Sequence, residues 1–264
     1  MLTSVFAKSL RDQRWAVLGW SIAILALVSV MVALWPAIHD ASADLSRLLA
    51  SMPPAMKAVL GNADFTTARG FLSAQLFGVM LPVLIAILGI SRGAGLLAGE
   101  EERGELTLVL ARPVQRRRLF VEKAGAALLT VVVVAAVVFV ILFAATRIAG
   151  MDVAAAELGG GAVGLALLGC LLASLALGIG GVTGSRTAAL VGTVVAAVVF
   201  YLAAIFGRMV GSLDWLAGIS PWEWSFGSNP LTDGPSLGSA LAVVTLGVVV
   251  LGIGLWRFDR RDIG

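Results

Sequence analysis

The side chains able to do chemistry are few, and most of them sit in one stretch. Residues 91–123 read SRGAGLLAGEEERGELTLVLARPVQRRRLFVEK. Glu100, Glu101, Glu102 and Glu105 stand together. Leu106, Val109 and Leu110 then give a helical apolar stripe, Arg112-Pro113 stops that helix, and Arg116, Arg117 and Arg118 follow. A solvated helix face explains the acids alone, and attraction to anionic lipid explains the arginines alone. Neither explains a short apolar stripe with acids on one side and bases on the other. That arrangement suits docking to a protein surface at a membrane. Other candidates are weaker. His39, the only histidine, stands beside Asp40, far short of a metal site. Cys170 is the only cysteine, so no intrachain disulfide can form. Glu223 reads as a hydrated loop acid rather than a cargo contact. No G-x-x-x-x-G-K-S/T phosphate loop and no H-E-x-x-H motif occurs, so neither ATP hydrolysis nor metal chemistry is expected of this chain.

The elements that must position this stretch follow from composition. The chain has 264 residues, 59% of them hydrophobic and 13% charged, with a mean hydropathy of +0.99. A soluble domain is nearer half apolar and a quarter charged. Disorder, a nucleic-acid-binding domain and an ordinary cytosolic enzyme are excluded, and the formal net charge of +3 implies no polyanion partner. Six uncharged apolar runs are each long enough for a helix to cross ~30 Å of hydrocarbon: residues 16–35, 72–90, 124–145, 159–182, 188–206 and 237–256. The third holds thirteen Val, Ile, Leu or Phe residues, worth roughly −4 to −8 kcal/mol toward insertion. The second is the weakest, with Gln75 and Pro82 inside it and Arg92 closing it. The expected fold is therefore an all-α membrane protein forming one six-span unit over residues 1–264.

Orientation follows from lysine and arginine. Fourteen of them fall on the side of the two termini and five on the other. That asymmetry places both termini in the cytoplasm. Trp15, Trp20 and Trp256 fall near inner ends of spans and Trp35, Trp215, Trp222 and Trp224 near outer ends, as expected of interfacial girdles. The first 14 residues read as an amphipathic interfacial helix, with Leu2, Val5, Phe6 and Leu10 on one stripe and Ser4, Lys8, Arg11 and Asp12 facing away. Lys8, Arg11, Arg14, Arg116, Arg117 and Arg118 are the expected inner-surface anchors. Between spans one and two a helical stretch is expected at residues 45–52. Between spans five and six, aromatic residues predict short helices dipping into the outer interface. Gly160/Gly164 and Gly180/Gly184 have the small-xxx-small spacing that lets helices approach closely.

No span carries a central charge of the kind that proton- and ion-coupled carriers need. A transporter built this way must borrow its energy. Here the motifs resemble a family: the permease subunits of ATP-binding cassette exporters of the second permease type, particularly the bacterial antibiotic-export branch. The resemblance is carried by Ala98–Leu106, Leu110–Val114, Arg116–Arg118 and Lys123. It continues in Met52–Ala55 with Leu60-Gly61, in Gly70–Leu72 with Pro82, in Ser220-Pro221 to Asn229–Leu231, and in the closing Trp256–Ile263. The resemblance implies two six-span subunits, identical or homologous, engaging separate ATPase subunits that bind ATP and Mg, in the bacterial inner membrane. It implies that Glu100–Pro113 is a coupling helix seated on the ATPase. Glu100, Glu101, Glu102, Gly104, Leu106, Leu110, Arg112 and Pro113 would then transmit force without performing chemistry. An apolar or amphipathic cargo fits the uncharged spans. A same-architecture permease for lipid, peptide or ions is an open alternative, and a stand-alone channel is a poorer one.

Overall fold

The computed structural model describes residues 5–41, 67–105, 115–227, 229–232 and 234–261. Among them every regular element is helical. In chain order these are α1 (Val5–Ala33), α2 (Trp35–Asp40), α3 (Ala68–Leu72), a π-helical stretch (Ser73–Met80), α4 (Leu81–Leu96) and α5 (Ala98–Glu102). Then come α6 (Arg116–Ile148), α7 (Ala155–Thr183), α8 (Arg186–Met209), a 3₁₀ turn (Gly211–Leu213), α9 (Asp214–Ile219), α10 (Pro221–Phe226) and α11 (Leu237–Arg260). Six helical stretches are long and apolar enough to cross a membrane: 6–40, 68–96, 116–148, 155–183, 186–209 and 237–260. The six expected spans are all present. The end of the bundle carrying α5, the start of α6 and the end of α11 is called the basic end below, and the opposite end the far end.

Two departures from the sequence expectation have local causes. First, residues 5–14 are not a separate interfacial helix but the opening turns of α1, which runs unbroken into span one. Nothing between Arg14 and Trp15 breaks a helix, and the inward face continues in phase from half-buried Phe6 through buried Ser9, Gln13 and Ile24 to Val28. Phe6 lies against Gly125 of α6, and its N–H donates to the Glu122 carboxylate at 2.9 Å. The buried stripe therefore contains polar Ser9 and Gln13 as well as apolar residues, and neither amide atom of Gln13 has a partner among the described residues. Second, span two is helical throughout but widens to π geometry over Ser73–Met80. The Pro82 ring would strike the carbonyl four residues back in a regular helix. Wider turns relieve the clash, and Leu81 N–H donates to Leu76 O, five residues back.

Span four, α7, is the axis of the bundle and packs against α4, α6, α8 and α11. Small residues let backbones meet there. A Cβ at Gly93 would lie 2.5 Å from Ala173 O and 2.8 Å from Ala176 Cβ, and one at Gly89 would strike Gly169 O. At the other face, Gly181 abuts Gly254 of α11, and Gly178 abuts Val250. Of the expected glycine pairs, Gly164 receives Ser225 O and the Phe226 ring, and Gly180 receives Ala98. Gly184 instead ends α7 in the left-handed conformation, at φ 71°. Dispersion and backbone proximity drive such packing in lipid, where neighbouring tails are as apolar as leucine.

The short helices expected between spans five and six are present as α9 and α10. Trp222 is buried against Tyr201, with ring centroids 4.9 Å apart, so it is a packing residue rather than part of a girdle. Trp15, Trp215 and Trp256 are exposed, as a girdle requires. His39 sits in the last turn of α2, exposed, with its ring 5.0 Å from that of Trp35. The helix expected at residues 45–52 lies outside the described residues.

The α4–α7 contact gives a matched test. Gly to Ala in a helix ordinarily gains roughly 0.5–1 kcal/mol. Gly93→Ala should instead lower the melting temperature in detergent, because the methyl meets backbone. Gly95, with nothing within 4 Å of its Cβ position, should accept Ala with no loss. Equal melting temperatures for the two variants would contradict this packing.

Candidate functional site

Three consecutive residues of an α-helix point in directions 100° apart. Glu100, Glu101 and Glu102 occupy one turn in α5, so their carboxylates reach three different neighbours. Glu100 pairs with Lys123 of α6, whose side chain is 2% exposed. Glu101 pairs with Arg261 just beyond α11, its Oε1 accepting from the guanidinium at 2.6 Å. Glu102 Oε1 accepts from the backbone N–H of Arg186 at 2.7 Å, at the first turn of α8. There a carboxylate meets an unsatisfied N–H and the positive end of the helix dipole. One acidic turn thus joins the basic ends of spans three, five and six to the end of span two.

The arginines close the same cluster. Arg116 donates to Arg261 O at 2.7 Å, Arg117 pairs with Asp259 at 2.9 Å, and Arg118 pairs with Glu122 at 2.7 Å. Beneath them Phe258, fully buried, meets Phe120 with ring centroids 5.8 Å apart, within a cluster that includes Leu97, Leu119, Ala124 and Leu177. The closing motif of the chain has a physical reading here. Phe258 seats the tail, Asp259 holds α6, and Arg261 holds α5. The guanidinium of Arg261 also fills the space over Gly184, where a side chain would collide with it.

Of the residues expected to couple, Glu100, Glu101 and Glu102 are therefore engaged by neighbouring helices of the same subunit, Glu100 and Glu101 half-buried and Glu102 exposed, a structural role the sequence did not reveal. Gly104 follows α5 with φ 71°, a left-handed position that ends the helix. Leu106, Leu110, Arg112 and Pro113 lie outside the described residues. Arg103 bonds Glu105 at 2.9 Å, and this hydrogen bond holds the Glu105 carboxyl below its usual value. Among the expected anchors, Lys8, Arg11 and Arg14 are exposed, and Arg117 and Arg118 remain mostly exposed despite their partners. Arg92, expected to close span two, lies within α4, and its Nε is buried with no hydrogen-bond partner among the described residues. No group of three or more His, Cys, Asp or Glu side chains among the described residues is placed to hold a metal ion.

The far end is tied separately. Arg69 pairs with Glu157 at 2.7 Å, Arg208 with Glu223 at 2.5 Å, and Ser73 Oγ donates to Asn229 Oδ1 at 2.9 Å. Glu223, read from sequence as a hydrated loop acid, is a packing ion pair that fixes α10 to the end of α8. Both ends of the bundle are thus held by polar contacts, while its middle is held by close apolar packing.

The buried Lys123–Glu100 pair admits a quantitative test. Removing one partner leaves a buried charge uncompensated, at a cost of about 3–5 kcal/mol. Lys123→Met and Glu100→Gln should each destabilise the folded chain, and the double variant should recover most of the Lys123→Met loss. Additive losses in a double-mutant cycle, read by thermal unfolding, would show that the two side chains do not interact.

A family model described as "ABC-2 family transporter protein" matches residues 3–263. No curated protein matches the chain.

Proposed function

Because the chain belongs to the ABC-2 family of transporter proteins, we propose that it is the membrane half of an ATP-driven exporter for an apolar or amphipathic, antibiotic-like compound. As the membrane component of that family it has no ATPase site, so ATP and Mg belong to a separate subunit. Two six-span subunits, identical or homologous, would stand side by side on two ATPase subunits. The basic end would face the cytoplasm of a bacterial cell, with the membrane-spanning helices in the inner membrane.

The observation that carries the mechanism is the three-way attachment of α5. A segment resting on a moving ATPase transmits force only if it is fixed to the helices that must move. Glu100, Glu101 and Glu102 fix α5 to α6, to the tail beyond α11 and to α8. Displacement of the segment 98–113 would then tilt the basic ends of spans three, five and six together and switch the space between the two permeases from inward to outward. In this reading Leu106, Leu110, Arg112 and Pro113 meet the ATPase, and the acids pass the movement on. The central turns of the spans carry no charge, which supports an apolar or amphipathic cargo.

The test is purification of tagged chain from native membranes in mild detergent, with ATPase activity measured on the eluate. An ATPase should co-purify at near-equal stoichiometry. Leu106→Asp/Leu110→Asp should lose it while the permease itself stays folded. Apolar and detergent-like compounds should stimulate hydrolysis by the assembled complex. A folded chain that brings down no ATPase would overturn the exporter reading, and a flat response across a broad compound panel would overturn the antibiotic-like cargo.

A further inference from the structure

Between α1 and α6, in the half of the bundle nearer the basic end, the surface opens into a cavity of about 390 Å³. Leu10, Val17, Leu18, Leu129 and Val133 form its apolar wall. Two hydroxyls also line it, but both are turned back on their own helices. Ser21 Oγ donates to Val17 O at 2.7 Å and Thr130 Oγ1 to Ala126 O at 2.9 Å. The one charged side chain on the lining is Arg14. Among the described residues its guanidinium meets only the face of Trp15, 5.3 Å from the ring centroid. That contact orients the group and leaves its N–H donors free.

The position of the groove identifies its medium. Leu18 is 50% exposed, Leu129 39% and Val133 40%, so the rims face outward from the bundle. Arg14 stands two residues before the apolar run that begins at Ala16, close to where α1 passes from headgroup to hydrocarbon, while the α6 residues of the lining, Leu129, Thr130 and Val133, lie inside the apolar run 124–145. Val17, Leu18 and Ser21 continue about 10 Å further into that run, at 1.5 Å per residue. Exposed Lys8 and Arg11 on the preceding turns add positive charge, against Asp12 on the same helix and Glu122 of α6, whose carboxylate is engaged by Arg118 and by Phe6 N–H.

We propose that this groove is a binding site for one anionic phospholipid, with an acyl chain along the Val17–Val133 wall and the phosphate on Arg14. Charge complementarity selects the anionic headgroup. A zwitterionic lipid gains less from Arg14, because its own cation is repelled by Lys8 and Arg11. A second copy of this chain would have to place an acid over Arg14 to satisfy it. The assignment does not depend on what the protein transports.

The test uses the full chain, delipidated in detergent and placed in nanodiscs of phosphatidylglycerol and phosphatidylcholine. Native mass spectrometry on ejection from the disc reads the retained lipid. The wild type should retain phosphatidylglycerol in preference to phosphatidylcholine. Arg14→Gln should reduce that preference about fivefold, the equivalent of the ~1 kcal/mol expected for one arginine near an anionic surface. Val133→Trp, which fills the groove without altering charge, should reduce retention of both lipids. Circular dichroism and melting temperature identify any variant that fails to fold, and Leu129→Trp then replaces Val133→Trp. Equal retention of the two lipids by the wild type, or an unchanged preference in Arg14→Gln, would overturn the proposal. So would cross-linking between copies through Leu18→Cys with no lipid retained, which would assign the groove to a second subunit.

Discussion

One helical turn with three consecutive carboxylates is the constraint on which the basic end depends. Glutamates in succession on an exposed helix would repel one another and solvate. Here the 100° step between them is used instead, and each finds a different cation or N–H. Lys123 is buried with its ammonium group on the Glu100 carboxylate, and Arg261 pairs with Glu101 while its carbonyl accepts from Arg116. Phe258 seats the tail in the cluster around Phe120, next to the residues that make these bonds. Apolar seating and ionic closure are therefore one arrangement, in which residues 258–261 take part as much as the acidic stretch does.

That rigid end is attached to a bundle whose middle is held differently. Around α7 the contacts are between backbones, at Gly89 with Gly169, Gly93 with Ala173 and Gly181 with Gly254. Such contacts leave no room for side chains between the helices. The far end is closed again by side-chain pairs, Arg208 with Glu223 and Arg69 with Glu157. Two polar clasps with an apolar, close-packed middle between them suit a device in which helices tilt as rods. Coupling in such a device needs an element with two arrangements that both ends bias, and the helices joined by α5 are the candidates for it.

Much of the fold was legible in the residues. Six apolar runs became six long helices because hydrophobic length alone sets what can span a membrane. The aromatic segment before span six became α9 and α10, as its aromatic residues suggested. The boundary at Arg14 was misread because an amphipathic stripe and a span are both helical, and only a breaker separates them. The packing role of Gly89 and Gly93 was hidden in the span that looked weakest. The site was legible by type but not by partner. Acids and arginines were recognised as a unit, yet the Glu101–Arg261 pair joins residues 160 apart. Nothing local announces such a pairing. Composition told that these charges matter and could not tell that they face one another.

The central claim is that α5 and the basic ends of spans three, five and six move as one body when the ATPase partner cycles. The most direct measurement is pulsed electron spin resonance between labels at Arg103→Cys and Thr187→Cys, in a Cys170→Ala background, on the assembled complex. One spectrum is taken without nucleotide and one with ATP trapped. The account predicts the same distance within the subunit in both states, while the distance between Thr187 labels on the two permeases changes. A change of several ångströms between Arg103 and Thr187 within one subunit would show that α5 moves apart from span five, and would contradict it.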